Sequence, residues 1–118
     1  MVYQQFEIWL ADLHPNFGGE AGKVRPVLIV QSDMLNFANH HTTIVCPITT
    51  KTRNNATILR VNVETGESGL NAASAIMIDQ IRMIDNKRFV RKIGDLPQPL
   101  KSIVAENLAI VLDLDSFR

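Results

Sequence analysis

Two side chains of opposite charge mark the stretch FGGEAGKVRPVLIVQ, which runs from Phe17 to Gln31. Glu20 sits in its glycine-rich loop, and Arg25 stands where that loop enters an apolar run. Pro26 follows at once and restricts the backbone of Arg25. A guanidinium fixed at the mouth of a strand offers a planar fork of donors that fits a phosphate bidentately. The plainer reading of the same residues is an exposed ion pair between Arg25 and Glu20. A second candidate is Thr49-Thr50, which ends the apolar run TIVCPI and precedes Lys51 and Arg53. Hydroxyls at a strand end can point out toward a ligand, although threonine is also an ordinary strand former. Asp79 is the third candidate. It interrupts IMIDQI, and a carboxylate inside a strand needs a partner, which Arg82 or Arg25 would supply.

Other chemistry is absent from the pattern. GGEAGK lacks the spacing of a phosphate-binding loop and leads into a strand rather than a helix. His14, His40 and His41 form no metal motif with Cys46 or one another, so no metal or other cofactor is expected. No Ser-His-Asp or Cys-His arrangement is present.

Short strands must position these residues. Runs rich in Val, Ile and Thr span Ile8–Leu13, Val24–Gln31, Thr43–Ile48, Thr57–Val63 and Ala75–Ile81. Within the fourth, Ile58, Arg60 and Asn62 alternate with Leu59, Val61 and Val63, a pattern with one buried face. Turn formers separate the runs, which predicts a small barrel or sandwich. A short helical turn is expected within Ser32–His41. From Pro99 onward, Leu100, Ile103, Val104, Leu108, Val111 and Leu112 recur at spacings of three and four, so an amphipathic helix should close the chain.

Composition bounds the rest. The 118 residues make one domain, 1–118, with 46% hydrophobic and 20% charged residues. Twelve basic and 12 acidic residues cancel, which disfavours a general nucleic-acid coat but permits a local basic patch. Lys87, Arg88, Arg91 and Lys92 form one cluster that reads equally well as a solvated face. No apolar run approaches the roughly 18 residues of a membrane span. The N-terminus lacks the pattern of a signal peptide, and Cys46 reads as a small buried thiol. A cytoplasmic location is expected. Trp9 should belong to the core or to a subunit contact.

Four blocks, EIWLADL, NFGGEAGKVRPVLIVQ, IVCPITT and IMIDQIRMID, resemble the MazF/PemK family of toxins from bacterial toxin–antitoxin pairs, in order and spacing. The resemblance implies an SH3-like small β-barrel, mainly β with a C-terminal helix. It also implies a metal-independent endoribonuclease that cleaves single-stranded RNA to a 2′,3′-cyclic phosphate and a 5′-hydroxyl. The family's catalytic arginine falls on Arg25, and its threonine on Thr49, with adjacent Thr50 the alternative. The loop glutamate falls on Glu20. Some members use an aspartate that matches Asp79, but their accompanying histidine and arginine are Gly19 and Met77 here, which favours the Arg25/Thr49 version. In this reading Arg25 neutralises the phosphorane, Glu20 takes the 2′-hydroxyl proton and Thr49 aligns the phosphate. Lys51, Arg53 and Arg82 hold flanking phosphates, and Phe17 offers apolar contact. A homodimer with RNA in its groove and a cognate antitoxin are the implied partners. A gyrase-poisoning toxin shares the fold, but its Trp-Gly-Ile ending is not matched by Asp115-Ser116-Phe117-Arg118. A catalytically inactive barrel that only binds antitoxin or RNA is the remaining alternative.

Overall fold

The computed structural model describes residues 2–51, 59–66 and 68–117. Its strands are β1 (Glu7–Asp12), β2 (Val24–Ile29), β3 (Thr42–Thr49), β4 (Arg60–Val63), β5 (Ser74–Met77), β6 (Arg82–Asp85) and β7 (Phe89–Asp95). A short helix α1 (Asp33–Asn36) and a 14-residue helix α2 (Gln98–Val111) complete the regular structure, with single 3-10 turns at Ile78–Gln80, Asn86–Arg88 and Leu114–Phe117. Every strand pairing is antiparallel, in the order β4-β5-β3-β2-β1-β7, and β6 also pairs with β3.

β3 is the hub. One edge takes β2, while the other is divided between β6, along Thr42–Val45, and β5, at Ile48 and Thr49. Pro47, which has no N–H for a ladder, falls between those two segments. The chain steps from β5 to β6 through the 3-10 turn Ile78–Gln80. The single strand expected over Ala75–Ile81 is therefore two strands with a turn between them. Asp79 lies in that turn, exposed, and carries no burial penalty that would demand a partner.

Alternation divides the buried residues between the two faces of the sheet. Ile8, Leu28, Cys46, Ile76, Val61 and Val63 pack together on one face with Val104 of α2. Trp9, Val27, Val45, Met77, Ile84 and Phe89 pack on the other. Trp9 is thus a core residue, in edge contact with the rings of Tyr3 and Phe89. The Cys46 thiol is fully buried, and burial, assisted by the charge of Asp79, pushes its pKa up to about 12. On α2, Leu100, Leu108 and Val111 join Val104 against the sheet. Ile103 and Leu112, expected on that face, are exposed, and Asn107 is buried in their stead. No helix among the described residues is long and apolar enough to cross a membrane.

Two strands escaped the sequence reading. β6 and β7 occupy RMIDNKRFVRKIGD, where charge hides the alternation. Phe89 is buried, and β7 pairs with β1. The basic cluster here is consequently dispersed rather than a patch. Arg88 donates to the carbonyls of Asp12 and His14. Lys92 reaches Glu7 at 3.1 Å and Asp95 at 3.2 Å, and its hydrogen bond to Glu7 raises its pKa. Glu7 is buried beneath the aromatic cluster and also accepts from Trp9 Nε1 at 2.9 Å and Gln4 N at 3.0 Å. An ionised carboxylate tolerates such burial only with partners of this kind. Leu59, expected on the buried face of the fourth run, precedes β4 and is 45% exposed. Thr57 and Ile58 of that run lie outside the described residues.

The strand path is not closed, because β4 and β7 share no ladder among the described residues. The loop after β4 narrows the gap. Gly69 has φ +74°, and a Cβ there would lie 1.8 Å from the Ile93 carbonyl oxygen of β7. The result is a barrel-like sheet with a C-terminal helix, as the sequence predicts, built from seven strands rather than the five runs visible in it. Gly69→Ala should lower stability by at least about 2 kcal/mol through strain and backbone clash. Gly19→Ala, with nothing within 4 Å of its added Cβ, should change it by less than about 0.5 kcal/mol. Chemical denaturation checks the pair, and equal stabilities would contradict this closure.

Candidate functional site

Antiparallel register assembles the site. β2 and β3 pair Ile29 with Val45 and Val27 with Pro47. Continued two residues further, the same register sets Arg25 level with Thr49. Thr49 pairs with Ala75 of β5, and Ala75 with Asn62 of β4. One row thus crosses four strands. Residues two apart share a face of a sheet, so Arg60, which pairs with Met77, faces the same side as Arg25 and Thr49. These side chains line a cleft of about 380 Å³. Lys23, Arg25, Lys51 and Arg60 all contribute to its wall, and no acidic residue does so among the described residues.

Each group has its own local support. Arg25 is half-buried, and its Nε donates to the carbonyl of Gly22 at 2.7 Å. That bond fixes the side chain and leaves both terminal nitrogens for a ligand. Desolvation lowers the Arg25 pKa, but a guanidinium remains charged throughout the ordinary pH range. The Thr49 hydroxyl accepts from the Lys51 backbone N–H at 3.1 Å, so its own proton is available for donation. Thr50 lines the cleft as well, but sits beyond the strand end and is exposed. Gln80 forms another part of the wall, and its Oε1 accepts from Ala21 N at 2.8 Å. This bond ties the glycine-rich loop to the 3-10 turn.

Arg60 is half-buried, and its Nη1 is shut off from solvent with no hydrogen-bond partner among the described residues. An unpaired buried donor costs about 1–3 kcal/mol. Sequence reasoning passed over Arg60, Lys23 and Gln80. Arg60 was legible only as the polar side of an alternating strand, and Gln80 was hidden in a run read as strand.

Glu20 and Arg82 meet elsewhere. They line a neighbouring cleft with Asp79 and Gln80, and Ala21 and Gln80 belong to both walls. The ion pair expected between Glu20 and Arg25 is made by Arg82 instead, at 3.8 Å. Glu20 also accepts from Phe17 N at 3.2 Å, which shapes the loop. Asp79 forms no salt bridge with Arg82 or Arg25, contrary to the sequence expectation. Phe17 is 77% exposed at the loop tip. Arg53 lies outside the described residues. His14 is exposed beside Asp12, with Nδ1 3.0 Å from Oδ1, and hydrogen bonding from the His14 backbone lowers the Asp12 pKa. His40 and His41 are exposed. Among the described residues, no group of three or more His, Cys, Asp or Glu could hold a metal ion.

Comparison with known proteins agrees with this architecture. The family model described as PemK-like, MazF-like toxin of type II toxin-antitoxin system matches residues 4–112. The endoribonuclease EndoA of Bacillus subtilis is 35% identical over 117 residues, covering 99% of this chain and all of that protein. The solved structure of the Mycobacterium tuberculosis toxin MazF-mt6 superposes with a TM-score of 0.75 at 28% identity, covering 91% of this chain and 96% of the toxin. A mycobacterial endoribonuclease, solved in complex with its cognate antitoxin, has a TM-score of 0.76 at 17% identity, covering 95% of this chain and 96% of that one. At that identity the likeness concerns the fold.

The Gln80–Ala21 bond gives a direct test of how the cleft wall is held. Gln80→Ala leaves the Ala21 N–H without its partner, at a cost of about 1–3 kcal/mol. Hydrogen exchange at the Ala21 amide should speed up by roughly tenfold or more while amides of β3 keep their protection. Unchanged exchange at Ala21 would show that the loop is held by other contacts.

Proposed function

The chain belongs to the family of PemK-like, MazF-like toxins of type II toxin–antitoxin systems, and on that footing we propose that it is an endoribonuclease that cleaves single-stranded RNA, with Arg25 and Thr49 at the scissile phosphate. The observation that carries this reading is the cleft itself: four cations and no acid among the described residues, and Arg25 level with Thr49 across two paired strands. The 35% identity to an endoribonuclease supports it.

In this reading the 2′-hydroxyl attacks the adjoining phosphorus. The new O2′–P bond forms as the P–O5′ bond breaks. The products are a 2′,3′-cyclic phosphate and a 5′-hydroxyl. Arg25 offers its terminal nitrogens to the non-bridging oxygens, where negative charge grows in the transition state, a term commonly worth about 3–4 kcal/mol per donor. Thr49 donates its free proton to the same phosphate and aligns it for in-line attack. Glu20 takes the 2′-hydroxyl proton. Its contact with Arg82 is long, at 3.8 Å, with the carboxylate half exposed, so RNA binding can release it. The leaving 5′ oxygen takes a proton from solvent water, and Glu20 returns the one it holds to solvent. Thr50, Lys51 and Arg53 hold RNA beside the scissile bond. Asp79, Arg82 and Phe17 contact it along the neighbouring cleft. Unstacked bases are the features such readers recognise.

Assembly and control follow the same reading. Two copies pair as a homodimer and place RNA in a shared groove. A cognate antitoxin with a disordered acidic and apolar segment folds over the cationic cleft and blocks it. The chain acts in the cytoplasm, without a metal or other cofactor.

Arg25→Ala and Thr49→Ala should each reduce cleavage of a long single-stranded RNA at least about a hundredfold without shifting the melting temperature. Wild-type rates in both would remove these residues from the chemistry, and a loss in Thr50→Ala alone would move the role by one position. Cleavage should also persist in excess EDTA and leave cyclic phosphate ends. Activity lost in chelator and restored by magnesium or zinc would overturn the metal-independent mechanism.

A further inference from the structure

β4 is short, and its alternation is strict: Val61 and Val63 enter the core while Asn62 is exposed. Arg60 belongs to the outward set, yet it is not simply solvated. It lines the cationic cleft, and its Nη1 is buried without a hydrogen-bond partner among the described residues. Arg25 has a carbonyl to hold it, whereas Arg60 has, among the described residues, no salt bridge or hydrogen bond that would explain its burial. A strand arginine with only a structural task would be expected to have one.

Position argues further. Arg25 is on β2 and Arg60 on β4, with β3 and β5 between them. Arg60 is opposite Met77, two residues along β5 from the Ala75 that pairs with Thr49. It therefore lies diagonally across the cleft from Arg25, displaced along the strands by about 7 Å. One phosphate held by Arg25 and Thr49 leaves Arg60 to face another.

We propose that Arg60 is a substrate-binding residue that grips a backbone phosphate flanking the scissile one, so that the cleft holds two phosphates of one RNA strand. The assignment rests on the RNA-cleaving reading above and goes beyond it by adding a binding residue. A phosphate oxygen would satisfy the buried N–H and would be held by a charge-assisted bond. The contact reads no base. It contributes equally to binding before and during the reaction, and so tightens the hold on the strand without acting at the reacting phosphorus.

The test uses the full chain and a single-stranded RNA made uncleavable by 2′-O-methylation. Binding is measured for wild type, Arg60→Gln and Arg60→Lys over a series of salt concentrations, alongside melting temperature and steady-state kinetics on unmodified RNA. Arg60→Gln should bind about ten- to a hundredfold more weakly, and its slope of log K against log salt should be shallower by about 0.7. KM should rise while kcat at saturating RNA stays near wild type, and Arg60→Lys should recover the salt slope. A merely structural arginine would lower the melting temperature and leave the slope unchanged, and that result overturns the proposal. So does a loss confined to kcat, which would place Arg60 at the reacting phosphate. Wild-type protein that neither binds nor cleaves RNA would overturn the functional reading and this inference with it, whereas wild-type binding matched by Arg60→Gln overturns this inference alone.

Discussion

The site depends on the pairing of β3. This strand carries Thr49 at its end, sets Arg25 through β2, and sets Arg60 through β5 and β4. A slip of one residue would turn every one of these side chains to the opposite face. The register is held because both faces are buried: Val45 packs on one side and Cys46 on the other, each inaccessible to solvent. Pro47 marks the change of neighbour on β3's second edge, from β6 to β5. The 3-10 turn that this change requires carries Gln80 to the cleft wall. Core packing and site geometry are thus set by one ladder.

The second consequence is electrostatic. The chain has no net charge, yet the cleft wall is cationic. Acids near the sheet are engaged elsewhere. Glu7 and Asp95 hold Lys92, Asp12 takes His14, and Glu20 takes Arg82 in the adjoining cleft. Charges farther apart than about 8–10 Å are largely screened in physiological salt, so local sorting decides what the cleft attracts. Average composition says little about binding when the sorting is this local.

Much of this was legible in the sequence. Arg25 before Pro26, and Thr49 at the end of a β-branched run, lie in the cleft as their positions in the chain suggested. The apolar runs became strands because Val, Ile and Thr carry their preference locally, and α2 follows its helical spacing. What was not legible came from partners distant in the chain. Glu20 met Arg82 and not Arg25, because the 3-10 turn brought β6 under the loop. Asp79 lies in six residues whose local pattern matches one strand, so nothing local marks the 3-10 turn that exposes it. β7 was missed because Arg91 and Lys92 obscure its alternation, and pairing with β1 overrides that local signal. Arg60 and Lys23 carry no local signal of a site, and register places them around one cleft.

The central claim is that Arg25 and Thr49, aligned by register, hold a single phosphodiester between them. The most direct measurement is a structure of the protein bound to a short single-stranded RNA carrying a 2′-O-methyl group at its cleavage position. The account predicts one phosphate within hydrogen-bonding distance of the terminal nitrogens of Arg25 and of Thr49 Oγ1, with its O2′ and O5′ oriented for in-line displacement. RNA lying along the Lys87–Lys92 segment, or a phosphate seated away from both side chains, would contradict it.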